Sequence, residues 1–122
     1  MKKRVLFLAI FLLILCGCSS NNYSKENTIV TYQEAREMVN DGAIIIDVRT
    51  EAEYNEKHID GAVLMTVELI NEKVASSIIP SKDSVVIVYC RSGARSSRAL
   101  KILKNLGYTK VYDLGSIDNW KE

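Results

Sequence analysis

Cys90, Arg91, Ser92, Gly93, Ala94, Arg95 and Ser96 directly follow the apolar run SVVIVY and lead directly into a helical pattern. A tight loop in that position, with a glycine to turn the backbone, brings successive N–H groups inward. The helix behind it adds the partial positive charge of its amino end. Together these form a cradle for an anion. A thiol at the base of such a cradle has a depressed pKa and is largely thiolate near neutrality, and Arg91 and Arg95 are expected to add to the effect. Cys90 therefore reads as a nucleophile that needs no histidine. The single histidine, His58, lies far away in sequence, and nothing else suggests a cysteine–histidine pair. The competing reading is a strand-end cysteine packed as a small hydrophobe before an ordinary helix start, with its arginines on a solvated face. Arg98 fits a surface position on that helix and is assigned no role.

Residues 43–48 (AIIIDV) and 84–89 (SVVIVY) are rich in β-branched side chains and lack polar alternation, as strands buried on both faces of a parallel sheet do. They form the predicted sheet centre. Weaker strand signals lie at 28–30, 62–65 and 110–113. A helix is predicted over 31–39, with Thr31 as cap, Glu34 at the capping-box spacing and Gly42 as the turn residue beyond it. A short charged helix is predicted over 51–57 and another over 67–76. A fourth has Ala99, Leu100, Ile102, Leu103 and Leu106 on its apolar side and ends at Gly107, with Lys101 and Lys104 near its negative end. Strands alternating with helices imply the α/β class, a three-layer α/β/α sandwich around a mainly parallel sheet. In such sheets ligands bind beyond the carboxyl ends of the strands. Residues 47–49, 90–96 and 113–116 are expected to meet there.

A chain of 122 residues that is 48% hydrophobic and 25% charged, with one proline, has the profile of one globular domain, which excludes a multidomain enzyme. Its amino terminus reads as an export signal: Lys2, Lys3 and Arg4, then eleven apolar residues at 5–15, then small residues. Eleven residues rise only about 16 Å as a helix, far short of the roughly 30 Å hydrocarbon core. Leu15, Cys16, Gly17 and Cys18 resemble the lipobox of bacterial lipoproteins, which makes Cys18 the expected lipidated residue and new amino terminus, although Cys16 departs from the usual small residue. Residues 19–27 are polar and lack periodicity, as suits a tether. The resulting division is a signal peptide at 1–17, a lipidated tether at 18–27 and a folded domain at 28–122. The domain is thereby placed on the extracytoplasmic face of a bacterial membrane.

Removing Lys2, Lys3 and Arg4 takes the 16 basic residues to 13, against 15 acidic ones. With no basic excess, nucleic acid is not an expected partner. Cleavage and lipidation leave Cys90 as the only free thiol, so no internal disulfide forms. A thiol kept in an exported protein calls for a reason. One histidine and one thiol do not make a metal site, and no glycine-rich nucleotide fingerprint is present. No cofactor is expected.

The loop CRSGARS after VVIVY, together with IIIDVRTEAEYNEKHIDGAV at 44–63, resembles the rhodanese family of single-domain sulfurtransferases. The resemblance implies a five-stranded parallel sheet with helices on both sides and a catalytic cysteine, here Cys90, that carries a persulfide. A small sulfur-containing anion such as thiosulfate, or polysulfide, would be the donor, and a thiol or cyanide the acceptor. It also implies that Arg95 closes the loop and neutralises charge, while Arg91 lines the mouth and attracts the donor. Asp47 and Arg49 match a triplet that is mainly architectural in the family. Arg49 either reaches the edge of the site or is held by Glu51 or Glu53. His58 is expected to be a structural hydrogen-bonding residue, and Trp120 a packing one. Where the family often has two glycines before a tryptophan, this chain has Gly115, Ser116 and then Trp120.

A cysteine phosphatase or arsenate reductase also uses a cysteine in an anion-binding loop. Four residues separate Cys90 from Arg95, however, whereas cysteine phosphatases resemble one another in having five. A sulfur-sensing or partner-binding module without catalysis, or a redox role with a partner reductase, starts from the same thiolate. Inactive relatives usually lose the cysteine, and this chain keeps it.

Overall fold

The two β-branched runs become neighbouring central strands. In the computed structural model, which describes residues 28–122, β1 (Ile44–Asp47) pairs in parallel with β3 (Val85–Cys90), from Ile44 opposite Val86 to Asp47 opposite Tyr89. The short β2 (Val63–Leu64) lies on the other side of β1, and β4 (Lys110–Ser116) lies beside β3. The order is β2-β1-β3-β4, with every pair parallel. The signal segment, Cys18 and the tether lie outside the described residues.

Alternation along the central strands sends apolar side chains to both faces. Ile46, Val86, Val88 and Cys90 pack against Ala75 of α3 (Glu72–Ile78) and Ala99 and Leu103 of α4 (Ala94–Asn105). Ile45, Ile87, Tyr89 and Tyr112 pack on the other side against Ala35 and Met38 of α1 (Tyr32–Asn40). A sheet covered twice needs apolar residues at successive positions, which explains the missing polar alternation. The predicted three-layer sandwich is the observed one.

Two expectations need correction. The sheet has four strands among the described residues, not five: residues 28–30 contribute one parallel bridge, Ile29 opposite Asp113. It is held by the Val30 N–H donating to the Asp113 carbonyl (3.0 Å) and the Asp113 N–H donating to the Thr28 carbonyl (2.7 Å). The ladder stops because Thr31 already caps α1, its Oγ1 accepting from the Glu34 N–H at 3.2 Å and its own N–H donating to the Glu34 carboxylate at 3.0 Å. The predicted helix at 67–76 is also divided, into a 3₁₀ turn (Val67–Leu69) followed by α3. Asn71, extended at φ −145°, starts the second piece by accepting from the Val74 N–H at 2.9 Å. The other helices fall where expected, with α2 at Glu51–Glu56.

Candidate active site

At the carboxyl end of β3 the chain passes through Cys90 and reaches α4 within four residues. Gly93, at φ +102°, is the residue before that helix, in a conformation that an L side chain strains to adopt. Its N–H thereby faces the sulfur, donating to Cys90 Sγ at 2.9 Å, and Ser96 Oγ lies 3.6 Å from the same sulfur. The Ser96 hydroxyl is itself placed by the Gly93 carbonyl at 3.0 Å. Cys90 is completely buried. Burial pushes the thiol pKa up, but the Ser96 side chain and the Ser96, Gly93 and Ser92 N–H groups about the sulfur outweigh it, and the net shift is downward. The cradle thus works mainly through hydrogen bonds to sulfur.

A Cβ on Gly93 would stand 3.8 Å from the Gly115 Cα, an ordinary contact, so the cost of Gly93→Ala is conformational. We expect about 1–2 kcal/mol of lost stability in urea unfolding, with slower alkylation of Cys90 as the N–H swings off the sulfur. A variant as stable and as reactive as the parent would show that this backbone geometry is dispensable.

The arginines divide their work differently from the expectation. Arg49 is held by neither Glu51 nor Glu53. Its guanidinium lies fork-to-fork on the fully buried Asp47, with Nη2 at 2.7 Å from Oδ2 and Nε at 3.0 Å from Oδ1, and Nη2 also donates to the Lys57 carbonyl. The Tyr89 hydroxyl donates to the same Asp47 carboxylate at 2.8 Å and accepts from the Ile59 N–H at 3.2 Å. Asp47 and Arg49 therefore brace the strand ends. Arg95 is placed not on the thiolate but on Glu53, Nη1 at 2.6 Å from Oε1 and Nη2 at 3.0 Å from Oε2. Arg98 pairs with Glu68 at 3.2 Å on the surface. Among the described residues only the Arg91 guanidinium in this group has no ion pair. It lines an open groove of about 430 Å³ with Arg49, Glu53, Glu56, Lys57, Ile117 and Asp118.

From the third segment, Ser116 Oγ donates to the Arg91 carbonyl at 2.6 Å and accepts from the Asp118 N–H at 3.1 Å. Gly115, at φ +78°, has its N–H on the Asp113 carboxylate at 2.7 Å. A serine in place of a second glycine therefore ties the end of β4 to the Cys90 loop. His58 is structural as expected, with Nδ1 2.8 Å from the Tyr54 carbonyl and its ring stacked on Tyr54 at 3.8 Å. Trp120 packs edge-on against Tyr32. Glu53 escaped the reading of the sequence as a site residue, while Ser116 lies in the segment expected at the ligand edge but was given no role. Thr50 and Glu53 do carry the capping-box spacing, and that box forms here, with Glu53 N–H donating to Thr50 Oγ1 at 3.2 Å. Nothing local points from Glu53 to Arg95.

Residues 31–122 match the family model of the rhodanese-like domain. The chain belongs to the rhodanese-like family. Among similar rhodanese-like proteins, the thiosulfate sulfurtransferase PspE of Escherichia coli is 36% identical over 72 residues, 59% of this chain and 68% of that protein. A sulfurtransferase of Allochromatium vinosum is 41% identical over 78 residues, 63% of this chain and 70% of the relative. A solved rhodanese from E. coli, described with anions, superposes with a TM-score of 0.59 at 33% identity, covering 64% of this chain and 91% of that one. Sulfur transfer is accordingly the reaction class of this rhodanese-like domain.

Proposed function

We propose that the protein moves the outer sulfur of a thiosulfate-type donor to a thiophilic acceptor through a persulfide on Cys90. The Cys90 thiolate attacks the sulfane sulfur, the donor's S–S bond breaks, and sulfite leaves with the electron pair. A thiolate or cyanide then attacks the outer sulfur of the persulfide, and Cys90 departs as the thiolate. The observation that carries this reading is the Gly93 N–H donating to the Cys90 sulfur at 2.9 Å, with Ser96 Oγ 3.6 Å from the same atom, a donor that stabilises negative charge there both before attack and on departure. Arg91, without an ion pair among the described residues and beside the groove, is the group suited to drawing in an anionic donor. Covalent transfer of this kind gives ping-pong kinetics. The test is the intact mass of the purified protein before and after thiosulfate, with cyanide added last. A gain of one sulfur atom, lost again with cyanide, is the expected result, and no gain from thiosulfate or polysulfide would overturn the reading.

The export pattern supports a second part of the proposal: residues 1–17 direct export, Cys18 is acylated, and residues 18–27 tether the domain to the extracytoplasmic face of a bacterial membrane. Its support is the charged, apolar and lipobox-like succession in the sequence. Cys18→Ala is expected to move the protein from the membrane to the soluble fraction and to abolish fatty-acid labelling. Membrane association that survives the change, with no label on the parent, would refute it.

A further inference from the structure

With Cys90 as the reacting thiol, as proposed above, we propose that Glu53 is a positioning residue of that site, gripping Arg95 at two points and so setting how much of that guanidinium's charge reaches the sulfur. Its carboxylate is anchored before it meets Arg95: at the third position of α2, Oε1 accepts from the Thr50 N–H at 3.3 Å and the Thr50 hydroxyl at 3.0 Å. Two parallel N–H···O bonds to Arg95 then fix the guanidinium plane in a way that a single contact cannot. Arg95 is the second residue of α4, two positions from the Gly93 N–H that holds the sulfur. The pair thus joins the start of α2 to the start of the helix behind the reactive loop, across 42 residues of sequence. Side-chain exposures of 27% for Glu53 and 29% for Arg95 keep the pair partly sheltered from solvent screening.

Arg95 stands within the field of Cys90 as well as of Glu53 and Glu68. An arginine bonded to a carboxylate presents little net charge to a neighbouring thiolate, whereas either member alone presents a full one. The other charges around the groove are Arg49, already on Asp47, and Glu56, Lys57, Arg91 and Asp118, and Glu68, itself paired with Arg98, also acts on Arg95. The Arg95 hydrogen bond is the main cause that holds the Glu53 carboxyl at about 2, so Glu53 stays ionised throughout the range in which a thiol titrates.

The two single substitutions are therefore expected to act with opposite sign. The rate of iodoacetamide alkylation against pH, followed at Cys90 by the mass of its peptide from the full chain, reports the thiol directly. Glu53→Gln leaves Arg95 uncompensated and moves the midpoint down, Arg95→Ala leaves Glu53 uncompensated and moves it up, each by about half a unit to one unit. The double substitution returns it close to the parent value. A merely structural clamp predicts something else, since loosening the loop weakens the hydrogen bonds to sulfur and raises the midpoint in all three variants. A common upward shift, or no shift in any variant, would overturn the assignment. Alkylation needs no sulfur donor, so a failure here is separate from a failure of the parent protein to take up sulfur.

Discussion

Cys90→Ser is expected to abolish sulfur transfer, with kcat lowered by about 10³-fold or more, and to leave the fold in place. An alcohol does not ionise near neutrality, and its oxygen is a poor nucleophile toward sulfane sulfur, so the hydrogen bonds that serve a thiolate have nothing to stabilise. The fold survives because the new hydroxyl keeps partners: the Gly93 N–H and Ser96 Oγ already lie about the sulfur. We expect a stability cost of about 1 kcal/mol in urea, since a buried hydroxyl with partners is tolerated. Intact mass after thiosulfate should show no added sulfur on this variant. A serine variant that retains parental turnover would remove Cys90 from the mechanism.

The largest expected effect on stability is at Asp47. Its carboxylate accepts from the Arg49 backbone N–H (2.9 Å), from the Arg49 guanidinium and from the Tyr89 hydroxyl, with Asp47 and Tyr89 completely buried and Arg49 nearly so. Asp47→Ala leaves a buried guanidinium bonded to the Lys57 carbonyl alone, and a buried phenol with nowhere to donate. Breaking a buried ion pair from one side costs about 3–5 kcal/mol, much of what a domain of this size has. Urea unfolding followed by far-UV circular dichroism should show most of the stability gone, with activity lost because Tyr89 is the residue before Cys90. A loss below about 1 kcal/mol would mean that this network braces nothing.

How far the sequence reached can be judged residue by residue. The strand runs at 43–48 and 84–89 were legible because burial on two faces leaves no polar alternation along them, and the Cys90 loop was legible because strand, glycine and helix follow one another without a gap. Thr31 and Glu34 announced α1 through a bond that spans three residues. The division at Asn71 was less visible, since apolar spacing on either side continues the same period while the cap interrupts the backbone. The fifth strand failed for a related reason, a local cap at Thr31 outcompeting a ladder that would have needed more residues.

The sequence by itself determined the α/β class, the meeting of three strand ends, and a thiol held by backbone donors in a short loop between strand and helix. Each of these rests on contacts among residues adjacent in the chain or on a period that repeats along it. Only the tertiary structure decided the pairing of charges: Arg49 with Asp47, Arg95 with Glu53, Ser116 with the Arg91 carbonyl, and Arg91 at the groove without an ion pair among the described residues. A flexible arginine can reach any of several carboxylates near it in sequence. Which one it meets depends on how two helices and three strand ends are packed, and Glu53 meets Arg95 across 42 residues because both stand at helix starts on the same edge of the sheet.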